Sequence, residues 1–489
     1  MINKFILILL LSCVVSAQND TLKEQYSINE LREQLDDSFN DSALNNAFVG
    51  VFIRSLKTGE TIYKKNPDKL FVPASLVKLF TTAAALFILG PEYRYETTIY
   101  TDGEINNGVL KGDLIVAGSG DPSISNRFYN GDPTVIFEEW ANQLINKGVR
   151  KIEGNLYYDD HAFDDIPLGN GWAWDNESYW FAAPSGALSF NDNSIEITIS
   201  PAELKFPAKY TIAPKTNYVT IVNKAVTTVD ETQIEVTRER GSNVIYISGA
   251  INYKSEPVVK NISVSGAADY FMTVFNETLN ASGILTEGKI LDYDETDKFI
   301  VKDDMTPLLV HRSVPLYRII NETNKNSNNF YSEQILKTIG LEVYGYGSAE
   351  NGLEACRKLF NEIGVNVDNL YLVDGSGLSR YNLVTPRQTV NLLTYLYKSE
   401  MSDYFYNSLP IAGFDGTLAN RMKKTYAKNN LRAKPGYSPA VSALAGYVKT
   451  VSGETLAFSV IINNYLSSSN LVNYIIDNAC NKLVNFVRN

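Results

Sequence analysis

A change of texture in its middle constrains this chain more than anything else. From about residue 96 to 304, short β-forming runs such as GDLIVAGSG and NVIYISGAI alternate with turns rich in Gly, Asn and Asp. Before it, two strand-like runs at 47–54 and 60–63 lead to a helix from about Ala74, and after it apolar residues recur at helical spacing, as in 316–325, 329–339, 351–363 and 386–399. Such a middle reads as a β-rich insertion of one or two small domains, the second at about 193–260. Helices are expected within it at 135–146 and 267–279. The end of the chain alternates strand-like runs (VSALAGYVKT, TLAFSVIINN) with a helix over 471–487. At 489 residues the chain exceeds one ordinary core, so two or three domains are expected.

The first residues, MINKFILILLLSCVVSAQND, have the layout of a secretory signal over 1–17. Lys4 is followed by an apolar centre and by Val15-Ser16-Ala17 as a small-residue cleavage site. Lipid attachment at Cys13 is disfavoured by the bulky Leu11. No later run is long enough to span a bilayer, so the expectation is an exported protein with at most peripheral membrane association. The net charge of −11 argues against a nucleic-acid partner. Beyond the leader two cysteines remain, Cys356 and Cys480, open to pairing or to burial as free thiols. With only His161 and His311, a multi-histidine metal site and a Ser-His-Asp triad are both unpromising, and lysine becomes the alternative base. No metal or organic cofactor is expected.

Three short patterns carry candidate chemistry. In FVPASLVKLFTTAAAL, Ser75 and Lys78 lie three apart at the start of a helix, so the amine can reach the hydroxyl. The free N–H groups of the helix start would favour an oxyanion formed there. A lysine can act as base only if burial or a nearby cation lowers its pKa. The bland alternative is a helix cap with a solvated lysine. In NETNKNSNNFYSEQILK, Ser327 and Asn329 can face one site from a tight turn, as proton relay and holder of a substrate carbonyl; an ordinary polar cap is the alternative. In NNLRAKPGYSPAVSALAGYV, Lys434 and Gly436 suit an edge strand whose backbone a substrate approaches, with Lys434 binding a carboxylate and helping to depress Lys78; a surface turn is the alternative.

In order and spacing, these patterns resemble the penicillin-recognising serine acyltransferases, marked by Ser-x-x-Lys, Ser-x-Asn and Lys-Thr-Gly. The long interval from Lys78 to Ser327, with GDLIVAGSGDPSIS, APSGALSFNDNSI, DGSGLSRYNLVTP and LPIAGFDGTLANRM, resembles one branch in particular. That branch is the D-alanyl-D-alanine carboxypeptidase/endopeptidase family, the class C low-molecular-mass penicillin-binding proteins. The resemblance implies an α/β multidomain chain. A β-lactamase/transpeptidase-like domain, an antiparallel sheet with helices, would occupy 18–95 and 305–489, split by the insert at 96–304. Ser75 would be the acylated nucleophile and Lys78 its base. Ser327 and Asn329 would form the second motif, Lys434 and Gly436 the third, and the backbone N–H groups of Ser75 and Tyr437 the oxyanion hole. The implied substrates are peptidoglycan stem peptides, cleaved as carboxypeptidase and endopeptidase, with β-lactams acylating Ser75. Pro435 departs from the pattern, which has a hydroxyl residue there to hold the substrate carboxylate; Ser438 is the candidate substitute. Competing readings are a β-lactamase or esterase on this scaffold, and a catalytically weak peptidoglycan-binding protein.

Three other stretches stand out. Asp159, Asp160, His161, Asp164 and Asp165 read as a solvated acidic loop rather than a cation site. Gly118 to Asp121 reads as a turn, since the Lys-Ser/Thr of a phosphate loop is missing. Trp172, Trp174, Tyr179, Trp180 and Phe181 read as packing, with a wall beside the cleft as the alternative. By analogy with the family, Asp374 to Ser379 is a tight turn lining the cleft.

Overall fold

Strands from the two ends of the chain meet in one five-stranded antiparallel sheet. Its order is Arg432–Ser438, Val441–Lys449, Thr455–Asn463, Phe48–Ser55, Thr61–Lys65. The computed structural model describes residues 25–293 and 305–488, so the leader reading over 1–17 and Cys13 falls outside the described residues.

The period of two along each strand sorts its side chains onto two faces. Val49, Val51, Ile53, Leu444, Val448, Leu456, Phe458 and Val460 point to one face, covered by helices Ile28–Phe39 and Ser469–Val484. Phe52, Ala443, Ala445, Ala457 and Ile461 point to the other, under helices Val77–Ile88 and Pro386–Lys398. On that second face the Pro386–Lys398 helix packs across the three central strands, and the turn that leads into the Val77–Ile88 helix lies on Arg432–Ser438 and Val441–Lys449. Residues 77–86 of this helix are all buried, the pattern of a helix enclosed on every side. Helices Leu316–Lys325, Asn329–Tyr344 and Ala349–Glu362 complete the enclosure.

The inserted region holds two groups of sheets. One runs Ile290–Asp292, Leu156–Asp159, Leu114–Ala117, Glu96–Thr101, Thr306–Arg312, with a small sheet beside it. The other comprises Lys209–Ala213, Ser194–Ser200 and Val258–Ser263, with a second sheet built around Val244–Asn252. Both groups and the helices Val135–Asn146 and Ala267–Ala281 share one continuous apolar core. The strand Thr306–Arg312, expected in the host domain, pairs instead with Glu96–Thr101 in the insert. The crossing back therefore lies near Ser313, later than residue 304. Cys356 and Cys480 are buried free thiols in different cores of the host layer, which resolves the cysteine alternatives in favour of burial.

Candidate active site

Ser75 sits in a single 3-10 turn, Ala74–Leu76, that runs into the Val77–Ile88 helix, so the α-helix proper starts after Ser75 rather than at Ala74. Ala74 has φ +47°, a left-handed conformation that costs a residue with a Cβ about 1–2 kcal/mol. Two glycines lie against the turn. A Cβ on Gly436 of the edge strand would stand 2.6 Å from the Pro73 carbonyl oxygen and 3.4 Å from the Ser75 nitrogen. A Cβ on Gly377 would stand 1.9 Å from the Ala74 oxygen. The backbone that approaches Gly436 is thus the turn carrying Ser75.

Lys78 is fully buried, one helical turn beyond Ser75. Its Nζ donates to Asn329 Oδ1 and to the Ser376 carbonyl, both at 2.6 Å, and lies 3.2 Å from Ser75 Oγ. Burial lowers its pKa to about 7, against the opposing pull of Asp374 and Glu333. A neutral amine has two N–H donors and one lone pair. The two short acceptors use both donors, and the lone pair is left for the Ser75 hydroxyl proton. This arrangement can deprotonate an alcohol without an imidazole.

Ser327 (φ +59°) occupies the turn between the helices Leu316–Lys325 and Asn329–Tyr344. Lys434 Nζ donates to Ser327 Oγ at 2.7 Å and to the Pro435 carbonyl at 2.9 Å. Lys434 is fully buried, and burial, then the charge of Lys78, holds its pKa well below the usual lysine value. At Lys78 the leading cause is burial, and the repulsion between the two amines, expected to help depress Lys78, is seen in the lowering of Lys434. Asn329, read as the holder of a substrate carbonyl, spends Oδ1 on Lys78 and donates from Nδ2 to the Phe181 carbonyl at 2.7 Å. In this state it orients the amine.

Pro435 removes no ladder bond. The Ala433 N–H donates away from the neighbouring strand, to the Pro410 carbonyl at 3.0 Å. Alternation then puts the nitrogens of residues 435 and 437 on the same outer edge. By the same alternation the Tyr437 N–H faces that edge, next to Gly436, whose Cβ position lies 3.4 Å from the Ser75 nitrogen. The Ser438 hydroxyl accepts from Arg380 Nη1 at 3.3 Å.

The insert reaches this site, and its aromatic stretch stands beside the cleft rather than serving packing alone. Trp172 Nε1 donates to Asp374 Oδ2 at 3.0 Å, and Phe181 supplies the carbonyl that holds Asn329. Asp192 accepts from Asn328 Nδ2 at 3.1 Å and from Arg127, clasping the start of the helix that carries Asn329. Asn191, Asp192 and Asn193 all have positive φ, a conformation Asn and Asp tolerate best after glycine. The acidic stretch 159–165 is not simply solvated: Asp159 is buried, and Asp164 pairs with the buried Lys337 at 2.6 Å. Among the described residues no group of three or more His, Cys, Asp or Glu is arranged to hold a metal ion.

Two carboxylates stand near Lys78: Asp374, in the turn expected to line the cleft, and Glu333, which no sequence motif marks. Glu333 accepts from the Gly375 and Ser376 N–H groups, and Asp374 accepts from the Gly377 and Ser379 N–H groups. For Glu333 the available signal was its place one helical turn after Asn329, on the same face.

A family model described as D-Ala-D-Ala carboxypeptidase 3 (S13) matches residues 31–483. A D-alanyl-D-alanine carboxypeptidase from Actinomadura sp. (strain R39) is 32% identical over 455 residues, covering 90% of this chain and 82% of its own length. The D-alanyl-D-alanine carboxypeptidase DacB of Haemophilus influenzae is 28% identical over 429 residues, covering 85% of each chain. The crystal structure of penicillin binding protein 4 from Haemophilus influenzae superposes with a TM-score of 0.78 at 25% identity, covering 94% of this chain and 99% of that one. The chain therefore belongs to the D-Ala-D-Ala carboxypeptidase 3 (S13) family and is a serine-type D-Ala-D-Ala carboxypeptidase.

Proposed function

We propose that Ser75 is the nucleophile of this serine DD-peptidase and Lys78 its general base. The observation that carries the assignment is the buried Lys78 amine, with two acceptors at 2.6 Å and the Ser75 hydroxyl at 3.2 Å. Ser75 Oγ attacks the carbonyl between two D-alanine residues of a stem peptide while its proton passes to Lys78 Nζ. The oxyanion is received by the N–H groups of Ser75 and Tyr437, two fixed dipoles at the edge of the sheet. The C–N bond then breaks, and the departing amine takes up a proton through Lys78 or the Lys434–Ser327 pair. Water hydrolyses the Ser75 ester by the reverse proton path.

Lys434 and Gly436 form the side of the cleft that receives the substrate's carboxyl end, with Ser438 next to them. The missing hydroxyl at Pro435 weakens the grip on a free carboxylate. This favours cleavage of cross-links, whose scissile bond is not followed by a free terminal D-alanine, as a companion endopeptidase activity. β-Lactams acylate the same serine. No helix of the described residues is long and apolar enough to cross a membrane, and the leader-like composition of residues 1–17 supports an exported enzyme.

The test is release of D-alanine from a stem pentapeptide by the wild type and by Ser75→Ala. Release by the wild type and none by the variant supports the assignment; equal release by both rejects it.

A further inference from the structure

We infer that Glu333 is a positioning residue for this reaction: its carboxylate fixes the Gly375–Ser376 backbone so that the Ser376 carbonyl and the Ser75 hydroxyl bracket the Lys78 amine. The inference rests on the roles just proposed for Ser75 and Lys78.

Glu333 is only 5% exposed, and burying a carboxylate is expensive unless several donors meet it. Its donors are backbone amides. The Gly375 N–H lies 3.1 and 3.0 Å from its two oxygens, and the Ser376 N–H lies 2.8 Å from Oε1. On the other side, the Gly375 carbonyl accepts from Thr81 Oγ1 at 2.7 Å and Ser332 Oγ at 2.6 Å. This stretch of backbone is thus gripped from both sides, and the next carbonyl, that of Ser376, meets Lys78 Nζ at 2.6 Å. Gly375 permits the grip, since a Cβ there would stand 2.7 Å from the Ser332 oxygen.

One helix therefore controls both short acceptors of the amine. Asn329 supplies the first directly, and Glu333, four residues on, holds the second in place. If the Ser376 carbonyl drifted, the amine would turn an N–H toward Ser75 instead of its lone pair. A second effect follows from charge. The charged groups facing Lys78 are Glu333 on the helix, Asp374 on the loop and Lys434 on the edge strand. Glu333 and Asp374 favour the protonated amine and so oppose the effect of burial. Burial, then Asp374, raises the pKa of Glu333 itself.

Glu333→Gln separates the two effects. Oε1 accepts from both amides, so a glutamine oxygen in its place can keep one hydrogen bond to each while the charge and the second Gly375 contact, through Oε2, are lost. The rate of acylation of the full chain by fluorescent penicillin would be followed from pH 5.5 to 9 for the wild type, Glu333→Gln and Glu333→Asp. Expected for Glu333→Gln is an acid limb displaced to lower pH by roughly half a unit or more, because one carboxylate no longer favours protonated Lys78. Expected for Glu333→Asp, whose carboxylate is drawn back by one methylene, is a limb near the wild-type position and a rate about tenfold lower. An unmoved limb in Glu333→Gln, or a wild-type rate in Glu333→Asp, overturns the inference; should Glu333→Gln fail to fold, the rate of Glu333→Asp decides. A wild type that is not acylated at all overturns the underlying roles of Ser75 and Lys78 instead.

Discussion

Gly377 lies directly against Ala74: a Cβ at 377 would stand 1.9 Å from the Ala74 carbonyl oxygen. The loop that brings the Ser376 carbonyl to Lys78 can pass behind the Ser75 turn only because residue 377 has no side chain. Gly377 also has φ +83°, which disfavours any residue with a Cβ. Gly377→Ala is therefore expected to destabilise the protein by about 3 kcal/mol or more and to lower acylation by roughly a hundredfold. Thermal unfolding and the rate of labelling by fluorescent penicillin check both.

The pH dependence of acylation has a definite sign. Lys78 must be neutral to accept the Ser75 proton, and its pKa is lowered to about 7 by burial. The rate should rise through pH 6 to 8, with its midpoint close to 7, and level off above. A solvated lysine would place the midpoint about three units higher. Stopped-flow measurement of the acylation rate across this range distinguishes the two.

Trp172 ties the insert to the host through its indole N–H on Asp374 Oδ2. Asp374 is fully buried and depends on such donors. Trp172→Phe keeps an aromatic ring and removes the donor, at an expected cost of about 1–3 kcal/mol. The unfolding midpoint should fall by a few degrees, and acylation should slow several-fold because the 374–379 loop is less firmly held.

Much of the host layer is legible in the sequence because its signals are local. The nearly continuous apolar runs in VSALAGYVKT and TLAFSVIINN mark strands buried on both faces, and the alanine-rich, largely apolar stretch after Ser75 marks a central helix. Misreadings arose where a residue's role is set by a distant partner. The helix starting at Asn329 was read to end at Ile339, before Gly340, but it continues to Tyr344 and ends at Gly345, whose φ is +77°. Gly340 marks a crossing of helices, where a Cβ would stand 2.9 Å from the Gly352 nitrogen. The pairing of Thr306–Arg312 with Glu96–Thr101 spans some two hundred residues and leaves no mark in either segment alone. At the site, Ser75 and Lys78 announce themselves by helical spacing. Glu333 and Trp172 do not, since only the folded chain brings one to the 375–376 amides and the other to Asp374.

Pro435→Thr tests the missing hydroxyl. The nitrogen of residue 435 faces the open edge, so threonine there adds an N–H and a hydroxyl without disturbing the ladder. A hydrogen bond to a carboxylate contributes about 1.5–3 kcal/mol. Release of D-alanine from a pentapeptide should therefore rise about tenfold or more in kcat/KM, with little change in cleavage of cross-linked dimers. Parallel assays of the two substrates check the prediction.

The most direct test of the account is peptide mass mapping after brief exposure to benzylpenicillin. The wild type should carry one penicilloyl adduct, on the peptide containing Ser75, and Lys78→Met, which leaves Ser75 in place but removes its base, should carry it far more slowly. An adduct on another residue, or labelling of Lys78→Met at the wild-type rate, would contradict it.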